Sequence, residues 1–288
     1  MTFLGLEEDP QKAKIVFLPA PYDATASYLP GARFGPRRLL EASPYLEFFD
    51  EELLCSYKDL PPFLTLPEKE LPVAPEEALR TLKEQLAPHL KAGRFPVTLG
   101  GEHTVSLAPI DLLRQDYPDL LVVQIDAHAD LRATYQGSPL SHACVMRRVR
   151  EMGAEVVALG VRAISEEEYL YAQEARIPLF WAYQLKKELP SVLKTLATFC
   201  AQRPVYVTID LDGFDPAEIP GVGTPEPGGL SWYEGLTILK TVARYQVVGF
   251  DVVELLPKDE RSAFFAAKLV YKFISYLFCP QRAFPGGA

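Results

Sequence analysis

Short apolar runs recur along the chain, most of them stopped by a glycine, a proline or an acid. Ile15 to Leu18, Phe95 to Leu99, Leu120 to Ile125, Val156 to Leu159, Pro178 to Trp181, Val205 to Ile209 and Val247 to Val253 are such runs. They are too short for helices and almost continuously apolar, which predicts strands buried on both faces. The segments between them have helical spacing instead. From Glu76 to Lys91, Ala78, Leu79, Leu82, Leu86 and Leu90 fall on one side. Helices are also expected from Gly35 to about Phe49, with Pro36 in the first turn, and over Thr104 to Arg114, Ser141 to Glu151 and Pro190 to Gln202. Ser165 caps another that opens on three glutamates, Ser231 caps one reaching Arg244, and Arg261 to Phe278 is the last.

Strands alternating with helices call for an α/β fold, a mainly parallel sheet with helices on both faces. No internal repeat or linker interrupts the pattern, so one domain is expected over residues 1–288. Two stretches fall outside it. Pro19 to Pro36 is a long loop without periodicity, of the kind that carries function inside a compact domain. Cys55 to Pro75 is proline-rich and only faintly strand-like.

Composition narrows the class. With 288 residues, 48% of them hydrophobic, the chain can bury a sizeable core. A net charge of −9 argues against a nucleic-acid backbone as partner and does not oppose a small cation. No run is long enough to span a bilayer and no leader pattern opens the chain, so a soluble, cytoplasmic protein is expected. Cys55, Cys144, Cys200 and Cys279 are far apart and read as reduced, mostly buried thiols.

The chemistry lies at the ends of the strands. Leu120 to Ile125 runs into Asp126, His128 and Asp130, which would project to one side if extended geometry continued. Phe95 to Leu99 ends in Gly100-Gly101-Glu102-His103, Val205 to Ile209 in Asp210-Leu211-Asp212, and Val247 to Val253 in Glu254. In a parallel sheet these ends share the edge where such folds bind ligands. A single cluster could be a solvated strand end, but four together are poorly explained that way. Four aspartates and two imidazoles are too many ligands for one tetrahedral zinc. They suit two divalent cations, whose charge four carboxylates balance, and the oxygen-rich donor set leans toward manganese. Such a pair can acidify a water, which implies metal-assisted hydrolysis.

The segments GGEHTVS (Gly100 to Ser106), DAHADLR (Asp126 to Arg132), SHACVMRR (Ser141 to Arg148), TIDLDGFDPAEIPGVGTPEPGG (Thr208 to Gly229) and DVVELLP (Asp251 to Pro257) resemble the ureohydrolases, the arginase and agmatinase family. The likeness runs from the GARFGP segment, Gly31 to Pro36, to the last strand. It implies a three-layer α/β/α fold around an eight-stranded, mainly parallel sheet. It also implies manganese-dependent hydrolysis of a guanidino group to urea and an amine, in a homo-oligomer, trimeric or hexameric. By position, His103, Asp126, Asp130 and Asp210 would hold one Mn²⁺, and Asp126, His128, Asp210 and Asp212 the second, giving two ions per chain. Glu254 would pair with the substrate guanidinium, Asp130 would pass a proton to the leaving amine, and His142 would shuttle protons at the mouth. Thr224 and Glu226 lie in what resembles the family's substrate loop.

Alternatives divide by class. Related deacetylases use one zinc, against which the full ligand set argues. A non-catalytic polyamine-binding regulator would be expected to lose ligands, and none is lost. Among ureohydrolases, DLRATYQGSPLSHACVMRR and GTPEPGG look agmatinase-like, which favours a small cationic guanidine: agmatine or an N-substituted agmatine of polyamine biosynthesis, ahead of arginine or guanidinobutyrate. Arg132 stands where arginases carry an asparagine and would repel an ammonium if it pointed inward. It is expected to turn away or pair with an acid, one of the Pro-rich loop for example.

Overall fold

In the computed structural model, which describes residues 1–279, the apolar runs become strands because helices cover them on both faces. Strand β1 (Ile15–Ala20) is followed by a small antiparallel ribbon, β2 (Phe49–Asp50) against β3 (Cys55–Ser56). Then come β4 (Phe63–Thr65), β5 (Phe95–Gly100), β6 (Leu121–Ile125), β7 (Glu155–Val161), β8 (Leu179–Trp181), β9 (Val205–Asp210) and β10 (Val247–Val253). Apart from the ribbon they form one eight-stranded sheet in the order β4-β1-β5-β10-β9-β6-β7-β8, with every pairing parallel.

The helices are α1 (Gly35–Ala42), α2 (Pro75–Lys91), α3 (Leu107–Asp116), α4 (Val145–Glu151), α5 (Glu166–Glu174), α6 (Ala182–Cys200), α7 (Trp232–Val242) and α8 (Glu260–Phe278). Side-chain alternation divides the interior into two cores. Leu121, Val123 and Ile125 of β6 pack with α1, α6, α7 and α8, whereas Val122 packs with α2, α3, α4 and α5. Burying each such side chain contributes about 1.5–3 kcal/mol. Among the described residues no helix is long and apolar enough to cross a membrane.

Where the structure departs from the pattern, local chemistry explains it. The helix expected to reach Phe49 stops at Ala42 and tightens into a 3₁₀ turn over Ser43–Tyr45, because Pro44 has no N–H to give. The helix expected from Pro190 begins earlier, at Ala182, and bends at Glu188 just ahead of that proline. Helix α3 is preceded by a 3₁₀ turn, His103–Ser106, rather than starting at Thr104. The proline-rich stretch contributes β3 and the edge strand β4.

The cysteines require a correction. Cys144 and Cys200 are buried and free, but Cys55 and Cys279 form a disulfide across 224 residues of sequence. The fold sets β3 against the end of α8, a proximity that linear spacing does not encode.

Candidate metal centre and substrate pocket

Strands β5, β10, β9 and β6 are consecutive neighbours at the middle of the sheet, and each delivers a polar cluster from its carboxyl end. The delivery is not by simple alternation. β6 stops at Ile125, His128 forms an isolated bridge to Ala163, and Asp130 turns back with φ at +53°. This turn, not a continued strand, brings Asp130 to His103. Gly101 allows β5 to meet the loop after β1, since a Cβ there would lie 2.0 Å from the Tyr22 carbonyl oxygen.

His103 Nδ1 lies 2.9 Å from Asp130 Oδ2, 3.1 Å from Asp126 Oδ2 and 3.5 Å from Asp210 Oδ2. It is buried and makes no hydrogen bond to any of them. His128 Nδ1 lies 3.0 Å from Asp212 Oδ2 and 3.6 Å from Asp126 Oδ1. Two groups therefore have donor atoms close enough to share an ion: His103, Asp126 and Asp210, and Asp126, His128 and Asp212. Asp126 belongs to both. The tautomer of His103 fits this role. The Thr208 hydroxyl donates to Asp251 Oδ1 at 2.6 Å, so toward His103 Nε2, 2.9 Å away, its oxygen accepts. Nε2 then carries the proton and Nδ1 presents its lone pair to the carboxylates, as a metal ligand would. Tyr206 holds the other oxygen of Asp251 at 2.8 Å.

The electrostatics call for more positive charge. Burial disfavours a charged His128, yet Asp212 and Asp126 outweigh it and raise its pKa to about 12. His103 is likewise raised against burial, by Asp126 and Asp130. Burial and the charge of Asp126 push Asp130 up to about 7, and burial with Asp212 and Asp126 holds Asp210 well above the carboxylate range. Carboxylates that draw protons onto themselves and onto neighbouring imidazoles fit divalent cations in their midst.

Asp130, Asp212, Glu254, His142 and Thr224 line one pocket, with Ala26 to Leu29 of the long loop as its outer wall. Glu254 has φ at +65° and Oε1 accepts the backbone N–H of His103 at 2.8 Å. Burial and the nearby Glu102 raise its pKa well above normal, so a cationic partner would favour its charged form. His142 sits between the Thr25 and Ser27 hydroxyls, and burial with the charge of His128 lowers its pKa to about 4.

Thr224 donates to Asp212 Oδ2 at 3.2 Å. Glu226 is met through its backbone, its carbonyl accepting Arg162 Nη2 at 2.7 Å, and its side chain does not line the pocket. Arg132 does not line the pocket. It lies over the Tyr135 ring, 5.1 Å from the centroid, with Nε 3.7 Å from Glu168 Oε2. That acid is the capping-box residue of α5 and not part of the Pro-rich loop. Thr25, Glu102, Arg162, Thr208 and Asp251 were not singled out by sequence reasoning. Two carried a signal that could have marked them: Asp251, an acid inside an otherwise apolar strand, and Glu102, in the polar cluster that ends β5.

The likeness to known proteins extends over nearly the whole chain. The model of the arginase family matches residues 13–275. The N(1)-aminopropylagmatine ureohydrolase of Synechocystis sp. is 41% identical over 279 residues, 94% of this chain and 91% of its own. The agmatinase of Bacillus subtilis is 36% identical over 280 residues, 94% of each chain. The solved structure of proclavaminate amidino hydrolase from Streptomyces clavuligerus superposes with a TM-score of 0.89 at 29% identity, covering 96% of both chains.

Proposed function

This chain belongs to the arginase family, and we propose that it is a binuclear manganese ureohydrolase cleaving agmatine, or an N-substituted agmatine such as aminopropylagmatine, to urea and an amine. Polyamine biosynthesis is the process this reaction would serve. The observation that carries the reading is Asp126, shared by two histidine–aspartate clusters, with the Nδ1 of His103 unbonded among carboxylates.

In this reading His103, Asp126, Asp130 and Asp210 hold one Mn²⁺ and Asp126, His128, Asp210 and Asp212 the other. When bound, the two ions supply Lewis acidity that lowers the pKa of a water at neutral pH. The chain's own residues do the rest. Glu254 faces the planar guanidinium with a carboxylate whose charge that cation restores. Asp130, next to His103 in the pocket, is the group assigned to pass a proton to the departing amine, which leaves poorly as an anion. His142, beside the mouth loop, is assigned the transfer of that proton to or from solvent; the charge on His128 that helps lower its pKa is absent once that ring binds an ion as a neutral imidazole. Thr224 holds Asp212 in place, and the loop around Glu226 forms the rim.

The substrate class is supported by the relatives' substrates and by the mouth itself. Arg132 is engaged by Glu168 and Tyr135, and this removes the one feature that favoured a carboxylate-bearing guanidine. A panel of agmatine, aminopropylagmatine, arginine and guanidinobutyrate, compared by kcat/KM, tests the reading. Preference for arginine or guanidinobutyrate would overturn the substrate and leave the metal chemistry standing.

A further inference from the structure

Glu102 is fully buried beside the metal centre and holds the long loop after β1. Its Oε2 accepts the backbone N–H of Thr25 at 2.8 Å. Its Oε1 accepts two hydroxyls, Thr25 Oγ1 at 2.6 Å and Thr104 Oγ1 at 2.8 Å. Thr25 in turn touches His142 twice: its Oγ1 accepts the backbone N–H at 3.1 Å and lies 3.3 Å from the ring Nδ1.

A hydroxyl has one proton, and Thr25 commits its own to a carboxylate in a short, charge-assisted bond. Toward His142 its oxygen can then only accept. Only a protonated Nδ1 makes the 3.3 Å contact attractive, and the Ser141 hydroxyl, also 3.3 Å from Nδ1, can rotate to accept as well. Nε2 is then the bare nitrogen. The Ser27 hydroxyl, 3.3 Å away, is free to donate to it.

We propose that Glu102 is a positioning residue that sets the tautomer of His142 through the Thr25 hydroxyl, leaving Nε2 as the basic nitrogen. This rests on the reading of His142 as the proton carrier of the site. The logic is the one seen at His103, where Asp251 fixes Thr208 and Thr208 fixes the ring. At His142 it decides which nitrogen can take up a proton.

Glu102→Gln inverts the polarity of this chain. The backbone N–H of Thr25 cannot turn, so the amide oxygen must occupy the Oε2 position. The amide nitrogen then falls at Oε1 and donates to the Thr25 hydroxyl. That hydroxyl gives its proton to Nδ1, and the ring proton moves to Nε2.

The test is ¹H–¹⁵N correlation of the ring nitrogens in ¹⁵N-histidine protein, with a diamagnetic divalent ion replacing manganese. His142 should carry its proton on Nδ1 in the parent and in Thr25→Ser, and on Nε2 in Glu102→Gln. Thr25→Val, which replaces a half-buried hydroxyl with a methyl of similar size, should abolish the preference and carries the test if Glu102→Gln does not fold. A parent protonated on Nε2, or a tautomer unchanged in both Glu102→Gln and Thr25→Val, overturns the proposal. With manganese, kcat of Glu102→Gln should fall up to about 100-fold, the usual scale for a positioned base, with KM little changed. A switched tautomer with an unchanged rate supports the positioning role and refutes His142 as the proton carrier, so the two failures are distinct.

Discussion

Arg162 ties the carbonyl oxygen of Glu226, 2.7 Å from its Nη2, to that of Asp212, 2.6 Å from the same nitrogen. Its guanidinium also donates to the carbonyls of Pro227, Gly160, Gly213 and Phe214. One side chain thus joins the rim of the pocket to the second aspartate pair. Lysine keeps the charge but loses the planar fork of donors. Arg162→Lys should therefore loosen the rim and raise KM about tenfold, since charged hydrogen bonds are each worth about 1.5–3 kcal/mol. Metal content should not change. An unaltered KM in steady-state assays would show that the rim holds without this arginine.

Asp126 belongs to both histidine–aspartate clusters. Asp126→Asn should reduce bound manganese, read by atomic emission, and lower urea release by about 10²–10³ or more. Retention of two ions at near-normal activity would refute the shared-ligand assignment. The pH dependence of stability should also change sign with metal. In metal-free protein the folded pKa of His128 is raised to about 12, so its contribution is complete below 6.5 and is lost as pH rises. Asp130, raised to about 7, also loses stability with rising pH, above its ordinary value of 3.8. Metal-loaded protein should behave oppositely, because its ligands bind as deprotonated groups. Thermal melts at pH 6 and pH 9, with and without chelator, should therefore diverge as pH rises.

The sheet and the ligand clusters were legible because both rest on local pattern. Runs such as Val205 to Ile209 could only be buried strands, and Asp210 and Asp212 stood at the point where the run broke off. Other features depend on groups remote in sequence. Asp130 reaches His103 through a left-handed turn, and Glu102 meets Thr25 across 77 residues. Glu168 stood out only as one of three glutamates opening a helix, and nothing in that pattern signalled its pairing with Arg132. Hydrophobic periodicity reports which face is buried but not which side chain of another segment lies opposite.

The Cys55–Cys279 disulfide links the ribbon to the end of the last helix and closes a loop of 224 residues. In the chain-entropy account such a loop lowers the freedom of the unfolded chain by about 5 kcal/mol at most. Neither cysteine lines the pocket. Cys55→Ser should lower the midpoint of urea unfolding while leaving kcat/KM close to the parent's. Identical unfolding curves for oxidised parent, reduced parent and variant would mean that the bridge contributes nothing to stability.

Glu254 separates substrate binding from metal binding. Its Oε1 accepts the His103 N–H at 2.8 Å, and its backbone N–H donates to Gly101 at 2.7 Å, so the side chain is fixed before any substrate arrives. Glu254→Gln keeps that shape, because the amide oxygen can still accept from His103, but it removes the charge. Losing one partner of a buried charged pair costs about 2–5 kcal/mol. A fall in kcat/KM of about 100-fold or more is expected, with two ions still bound. The loss should be borne mainly by guanidinium binding, so a neutral urea added as product inhibitor should bind the variant about as well as the parent. If urea inhibition weakens in step with KM, Glu254 is shaping the site as a whole and not pairing with the guanidinium charge.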